Sequence, residues 1–237
     1  MNSTTLFSAQ EIMKLRNPVK FPINCPHGWS KSKVNPKKVL KNFSKLRIKK
    51  GFVLRSYHFQ EKSNGNSIVW AMPKQSPFPS PDSCPKLTDT FLHPPKPPLA
   101  LDDLMEAIES DGSPWSYLSA SIFKREISEF GAFWHGHNWD THNIIDTQPL
   151  FDINQIQEKD EINSAKKVDK WEWLEAKPEQ WMPSVSINNE QAIVTFFTYS
   201  ELGTKAIYIH TDTYNLGKYS CKTEKIMIAK GGSGYHF

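Results

Sequence analysis

Apolar residues at Trp115, Leu118, Ile122, Phe123, Ile127, Phe130 and Trp134 recur with a period near 3.6, which predicts an α-helix over 114–134. Ser113 suits its N-cap, and Pro114 stands at the first helical position, where no N–H is required. A shorter helix over 101–110 would join it through Asp111-Gly112, giving a central helical pair. Elsewhere the pattern changes to strand. FVLRSYHFQ (52–60) and SIVWAM (67–72) are rich in β-branched and aromatic residues, and Asn64-Gly65 between them predicts a type I′ hairpin turn. Near the C-terminus, 184–188, 191–200, 205–213 and 218–229 read as four strands joined by short turns, an antiparallel meander. In the first fifty residues Ser8 and Glu11 have the spacing of a capping box. Asn35-Pro36 opens a basic amphipathic helix with Val39, Leu40, Phe43 and Leu46 on one face and Gly51 as its stop.

These elements predict an α+β fold: an antiparallel sheet built from the N-terminal hairpin and the C-terminal meander, with the helical pair packed on one face. The expected organisation is a basic N-terminal arm with short helices over 1–50 and a single α+β domain over 51–237. That domain includes a Pro-rich strap at 73–99. Nine prolines in the strap exclude helix and inner strand, and Phe78, Leu87, Phe91 and Leu92 suit a segment laid across a surface better than a linker. The polar stretch 155–170 reads as a loop and the terminal GGSGYHF as a flexible end. No period of 20 to 50 residues recurs.

Composition adds bounds. At 237 residues and 38% apolar content the chain can bury a sizeable core. No apolar run approaches the roughly 18 residues of a membrane span, and the first residues lack the pattern of a secretion signal. Three widely separated cysteines make a poor disulfide framework, so a cytoplasmic protein is expected. Charge is unevenly placed. Residues 1–60 hold 13 Lys and Arg against Glu11 alone, a balance of +12, whereas the rest holds 16 basic and 24 acidic residues, a balance of −8.

Such a split predicts a non-enzymatic intracellular interaction protein that docks on an acidic partner, protein or nucleic acid, through Lys37, Lys38, Lys41, Lys45, Lys49, Lys50 and Arg55. A single-stranded nucleic acid would also need exposed rings for base stacking, and Tyr57 and Trp70 are the candidates. The competing reading is a metal-dependent hydrolase or oxidoreductase. His135, His137, Asp140 and His142 form a dense set of zinc or iron donors, though histidines just past a helix also suit capping of its last carbonyls. Cys25, His27, Cys84 and His93 are a weaker donor set. No nucleophile elbow or phosphate loop is present. Asp212, in the run His210-Thr211-Asp212-Thr213-Tyr214, is a further polar group on a predicted strand.

Overall fold

A computed structural model describes residues 3–16, 19, 25–84, 90–149 and 171–236. In chain order they form β1 (Ser3–Leu6), α1 (Ala9–Met13), β2 (Gly28–Lys31), α2 (Lys37–Leu40), β3 (Arg47–Ile48), β4 (Phe52–Glu61) and β5 (Asn64–Pro73). Then follow β6 (Ile108–Glu109), α3 (Pro114–Ser128), β7 (His142–Ile145), β8 (Glu172–Trp173), β9 (Ser184–Ile187), β10 (Gln191–Ser200), β11 (Thr204–Asn215) and β12 (Cys221–Ser233). Strand makes up 40% and helix 18% of the described residues, so antiparallel sheet dominates a mixed fold.

The meander β9-β10-β11-β12 forms where the alternation predicts it. It grows at both ends, with β1 beside β9 and β8 beside β12. One edge of β10 is divided between two short partners, β9 along Ala192–Thr195 and β7 along Phe197–Ser200. The sheet is curled, and the β11–β12 register shifts between Ile207 and Tyr208, a local irregularity of the kind that increases twist.

The β4–β5 hairpin does not join this sheet. With β2, which pairs along β4, it makes a separate three-stranded sheet, and both faces of that sheet are covered. Leu54, Val69 and Ala71 meet the central core on one face, while Tyr57, Phe59, Trp70 and Met72 form a second cluster on the other. The hairpin turns at Lys62-Ser63, with Lys62 at a φ of 52°, two residues before the Asn64-Gly65 step. Gly65 is needed inside the ladder: Phe133 N–H donates to its carbonyl at 2.9 Å, and a Cβ there would lie 2.2 Å from the Phe133 ring.

Helix α3 starts as expected, with the Ser113 side chain accepting from Ser116 N–H. It differs from a one-sided amphipathic helix in being buried at every residue from Ser116 to Phe123. Continuous burial requires cover all round, and α3 contacts β9 and β10 of the large sheet, β5 of the small one and α2. Its buried serines suit this crowding; Ser116 and Ser121 hydrogen bond Tyr219 and Tyr214 at 2.8 Å. The partner helix predicted over 101–110 is instead a 3-10 turn, Leu104–Ala107, capped by Asp103 and followed by β6, which pairs with β3. Asp103 offers its carboxylate to Met105 N–H, and this local bond competes with continuing an α-helix.

Residues of the first fifty enter the same core. Ile12, Leu15, Val34, Val39, Phe43 and Leu46 are buried with the side chains of α3, and the Phe43 ring meets Phe123 edge-on at 5.4 Å. The Ser8–Glu11 capping box is present, and α2 is a single turn rather than a long helix.

The described parts of the Pro-rich segment, 73–84 and 90–99, lie against the hairpin sheet. Phe78 stacks on Tyr57 at 4.5 Å and Phe91 on Trp29 at 5.9 Å. Proline-rich backbone has carbonyls but few donors, and ring donors supply them: Tyr57 OH, Trp29 Nε1 and Trp70 Nε1 donate to the carbonyls of Pro79, Thr90 and Pro95. Leu92 is exposed, and Leu87 and the stretch 155–170 lie outside the described residues. The glycine-rich end is tied down rather than loose. Gly234 and Tyr235 N–H donate to Gly203 and Glu201, and a Cβ on Gly234 would lie 1.8 Å from the Glu201 carbonyl oxygen. Among the described residues no helix is long and apolar enough to cross a membrane.

Phe43→Ala should therefore destabilise the whole fold by about 3–5 kcal/mol, the cost of truncating a buried phenylalanine. Chemical denaturation with a central-core probe checks this; an unchanged midpoint would mean that the first fifty residues are not part of the cooperative unit.

Candidate functional site

Because successive side chains alternate across a strand, the ladders place Phe196, Thr198 and Ser200 of β10 on one face with Tyr208, His210 and Asp212 of β11. Lys225 of β12 lies opposite His210, and His142 of β7 opposite Ser200. This is the face that α3 covers. Toward Ala192 and Val194 it is apolar; past the end of α3, where residues 129–141 lie over it, it becomes polar.

Three side chains there form a hydrogen-bonded chain with a lysine at its outer end. Lys225 Nζ is 3.0 Å from His142 Nε2, His142 Nδ1 is 2.8 Å from Thr198 Oγ1, and Thr198 Oγ1 is 2.8 Å from His210 Nε2. An ammonium can only donate, so His142 accepts at Nε2 and carries its proton on Nδ1. That N–H donates to Thr198, whose hydroxyl proton then has His210 Nε2 as its acceptor. His142, Thr198 and His210 are buried, while Lys225 is an exposed residue within the exposed run 222–226 of β12. The Lys225 ammonium lies over the Tyr208 ring at 4.2 Å.

Two ion pairs hold the cover in place. Arg125, in the last turn of α3, makes a two-pronged bond to the fully buried Asp212 at 2.6 and 3.1 Å. Arg16 pairs with Glu126 at 2.8 Å and donates to the backbone carbonyls of Trp139 and His142. Trp139 donates from Nε1 to the same Glu126 and stacks on the His142 ring at 5.8 Å. Glu129 accepts from the N–H groups of Asn138, Trp139 and Asp140, fixing the 138–140 turn.

Protonation follows from this setting. Burial first, then the positive charges of Lys225, Arg16 and Arg125, drive His142 down to about 3. Burial and Arg125 likewise push His210 far below the ordinary imidazole range. Burial raises the Glu126 carboxyl against the opposing pull of Arg16. Lys225 is lowered by burial and Arg125 and raised by Glu129.

The predicted site residues divide. Of the histidine set, His142 points inward to Thr198 and Lys225. His137 Nδ1 approaches Asp140 only to 3.9 Å, and His135 lies in the short turn Trp134–Gly136. No three His, Cys, Asp or Glu side chains among the described residues converge as a metal site, so neither the 135–142 set nor the Cys25, His27, Cys84 and His93 set is assembled. Cys84 is buried against Tyr57 OH at 3.4 Å. Tyr57 and Trp70 are interior rings: Phe78 covers the first and Lys96 and Pro95 border the second, so neither offers a face to a base.

Among the basic residues, Lys45 pairs with Asp111 at 2.8 Å and Lys49 donates to the Glu106 carbonyl at 2.6 Å, alongside an Arg47–Glu109 pair. Lys37, Lys38, Lys41, Lys50 and Arg55 make no ion pair among the described residues and are exposed. Lys225, Thr198 and Arg125 escaped the sequence reading. The available signal was the in-facing series Tyr208, His210, Asp212 and Tyr214, which places polar groups where a half-buried strand should show apolar ones. No family model, curated protein or solved structure matches the chain.

The two buried neutral imidazoles set an acid limit. An unfolded histidine titrates near 6.5, so below that pH the unfolded chain binds protons that the folded chain refuses. Stability present above about 6.5 is then lost as pH falls toward about 3, with a slope of about 1.4 kcal/mol per pH unit for each imidazole. Urea unfolding at a series of pH values checks this, and His142→Asn should remove one proton's worth of slope.

Proposed function

We propose that the protein is a docking protein that engages an acidic macromolecular surface through the cations of residues 37–55. The observation that carries this reading is the division among those cations. Lys45, Arg47 and Lys49 are tied to the 106–111 segment, whereas Lys37, Lys38, Lys41, Lys50 and Arg55 lack an ion pair among the described residues. Val39, Phe43 and Leu46, interleaved with the lysines, are buried in the central core. The charges are therefore presented on an anchored backbone, and less conformational freedom is lost on binding than from a loose basic tail.

The burial of Tyr57 and Trp70 favours contact by charge over base stacking, and hence an acidic protein surface over a single strand. The acidic partner supplies many weak, screened contacts, so the association is salt-sensitive.

The test is retention on immobilised poly-glutamate and on immobilised oligothymidylate over a salt gradient. Lys37→Glu/Lys38→Glu/Lys41→Glu should elute from poly-glutamate at markedly lower salt than the parent. Lys45→Glu should shift less, because its native charge is already engaged by Asp111. Unchanged retention of the triple variant would refute the reading, and preferential retention on oligothymidylate would favour nucleic acid instead.

A further inference from the structure

The Lys225–His142–Thr198–His210 chain has no part in docking through residues 37–55, and it has the components of a reactive-amine site. We propose that Lys225 binds a small oxo acid, a ligand bearing both a carboxylate and an aldehyde or ketone, by forming an imine with its carbonyl carbon.

Three observations carry this. The Lys225 ammonium has no carboxylate partner among the described residues, and Glu129, the acidic group that acts on it, already accepts three backbone N–H groups. Its nitrogen is held 3.0 Å from an imidazole nitrogen whose proton lies on the far side of the ring, so a hydrogen-bond acceptor orients the amine. The side chain reaches this position from the exposed outer part of β12, beside the register shift at Tyr208, so the amine lies between solvent and interior.

The groups facing the amine are Arg125 and Glu129 from the end of α3, His142 from β7, and Tyr208 and His210 from β11. Burial and the Arg125 charge favour the neutral amine, the nucleophilic form, as a cationic neighbour does for Schiff-base lysines in general.

After Lys225 loses one proton to solvent, its nitrogen lone pair attacks the carbonyl carbon. A C–N bond forms while the C=O π pair moves to oxygen. The two remaining N–H protons pass to that oxygen through solvent water, and water leaves to give the imine. When the imine is protonated it retains the positive charge that Lys225 brought. The carboxylate of the ligand is then a counter-charge that no ion pair among the described residues supplies.

Reductive trapping tests this in the intact chain. Glyoxylate at limiting concentration with cyanoborohydride, followed by peptide mapping, should label Lys225 roughly tenfold faster than Lys222 or Lys218, the scale of a substantial gain in neutral amine. Propionaldehyde, which has no carboxylate, should show a smaller preference for Lys225. Lys225→Arg should abolish the fast label and leave the other lysines unchanged. Equal rates at Lys225 and Lys222, or equal preference with the two aldehydes, would overturn the proposal.

Discussion

Asp212 is fully buried, and leaving a carboxylate without a partner there would be costly. Arg125 neutralises it with two parallel hydrogen bonds, and much of the interior depends on that pair. Its net contribution to stability is modest, because both ions lose hydration, but removing either partner would cost about 3–5 kcal/mol. The geometric consequence is larger. A planar guanidinium bonded at both nitrogens, and also to the Ser121 carbonyl one turn earlier, admits a narrow range of positions for α3 along β11. With the helix thus located, its C-terminal end sets where residues 129–141 lie over the polar half of the sheet.

The same pair shapes the chemistry around it. The guanidinium lies against the rings of Phe196 and Trp139, at 4.9 and 5.7 Å. From there its charge acts on His142, His210 and Lys225 together and disfavours a further proton on each. A proton on His210 Nε2 would also take away the acceptor of the Thr198 hydroxyl, and one on His142 Nε2 would be set against the Lys225 ammonium. Neutrality of the rings and the direction of the chain are thus two results of one arrangement.

Much of this fold is legible in the sequence where a residue's local preference and its tertiary role agree. The four meander strands and the Ser113-Pro114 helix start are of this kind, as is the strap, where aromatic residues among prolines do contact the surface. Local signals failed where a distant partner took precedence. Asn64-Gly65 is a strong turn signal, yet Phe133, remote in sequence, needs the open space above Gly65, and the turn forms at Lys62-Ser63 instead. Around 101–110 the apolar spacing suits a helix, but Asp103 caps a tighter turn and β3 recruits Ile108 and Glu109. The site was legible only in part. His142 belonged to a conspicuous cluster, whereas Thr198, His210 and Lys225 come from three strands and meet only through register. An alternating strand marks them only as polar residues on its inward face.

The two sets of cations in this chain differ in what surrounds them. Lys37, Lys38 and Lys41 are exposed and hydrated, so each interacts weakly with any single anion and their effect is collective. Lys225 is also an exposed residue, but its ammonium lies over a tyrosine ring beside buried histidines, and its protonation responds to its neighbours. The first arrangement suits recognition of an extended acidic surface. The second suits a single small ligand held by both charge and a covalent bond.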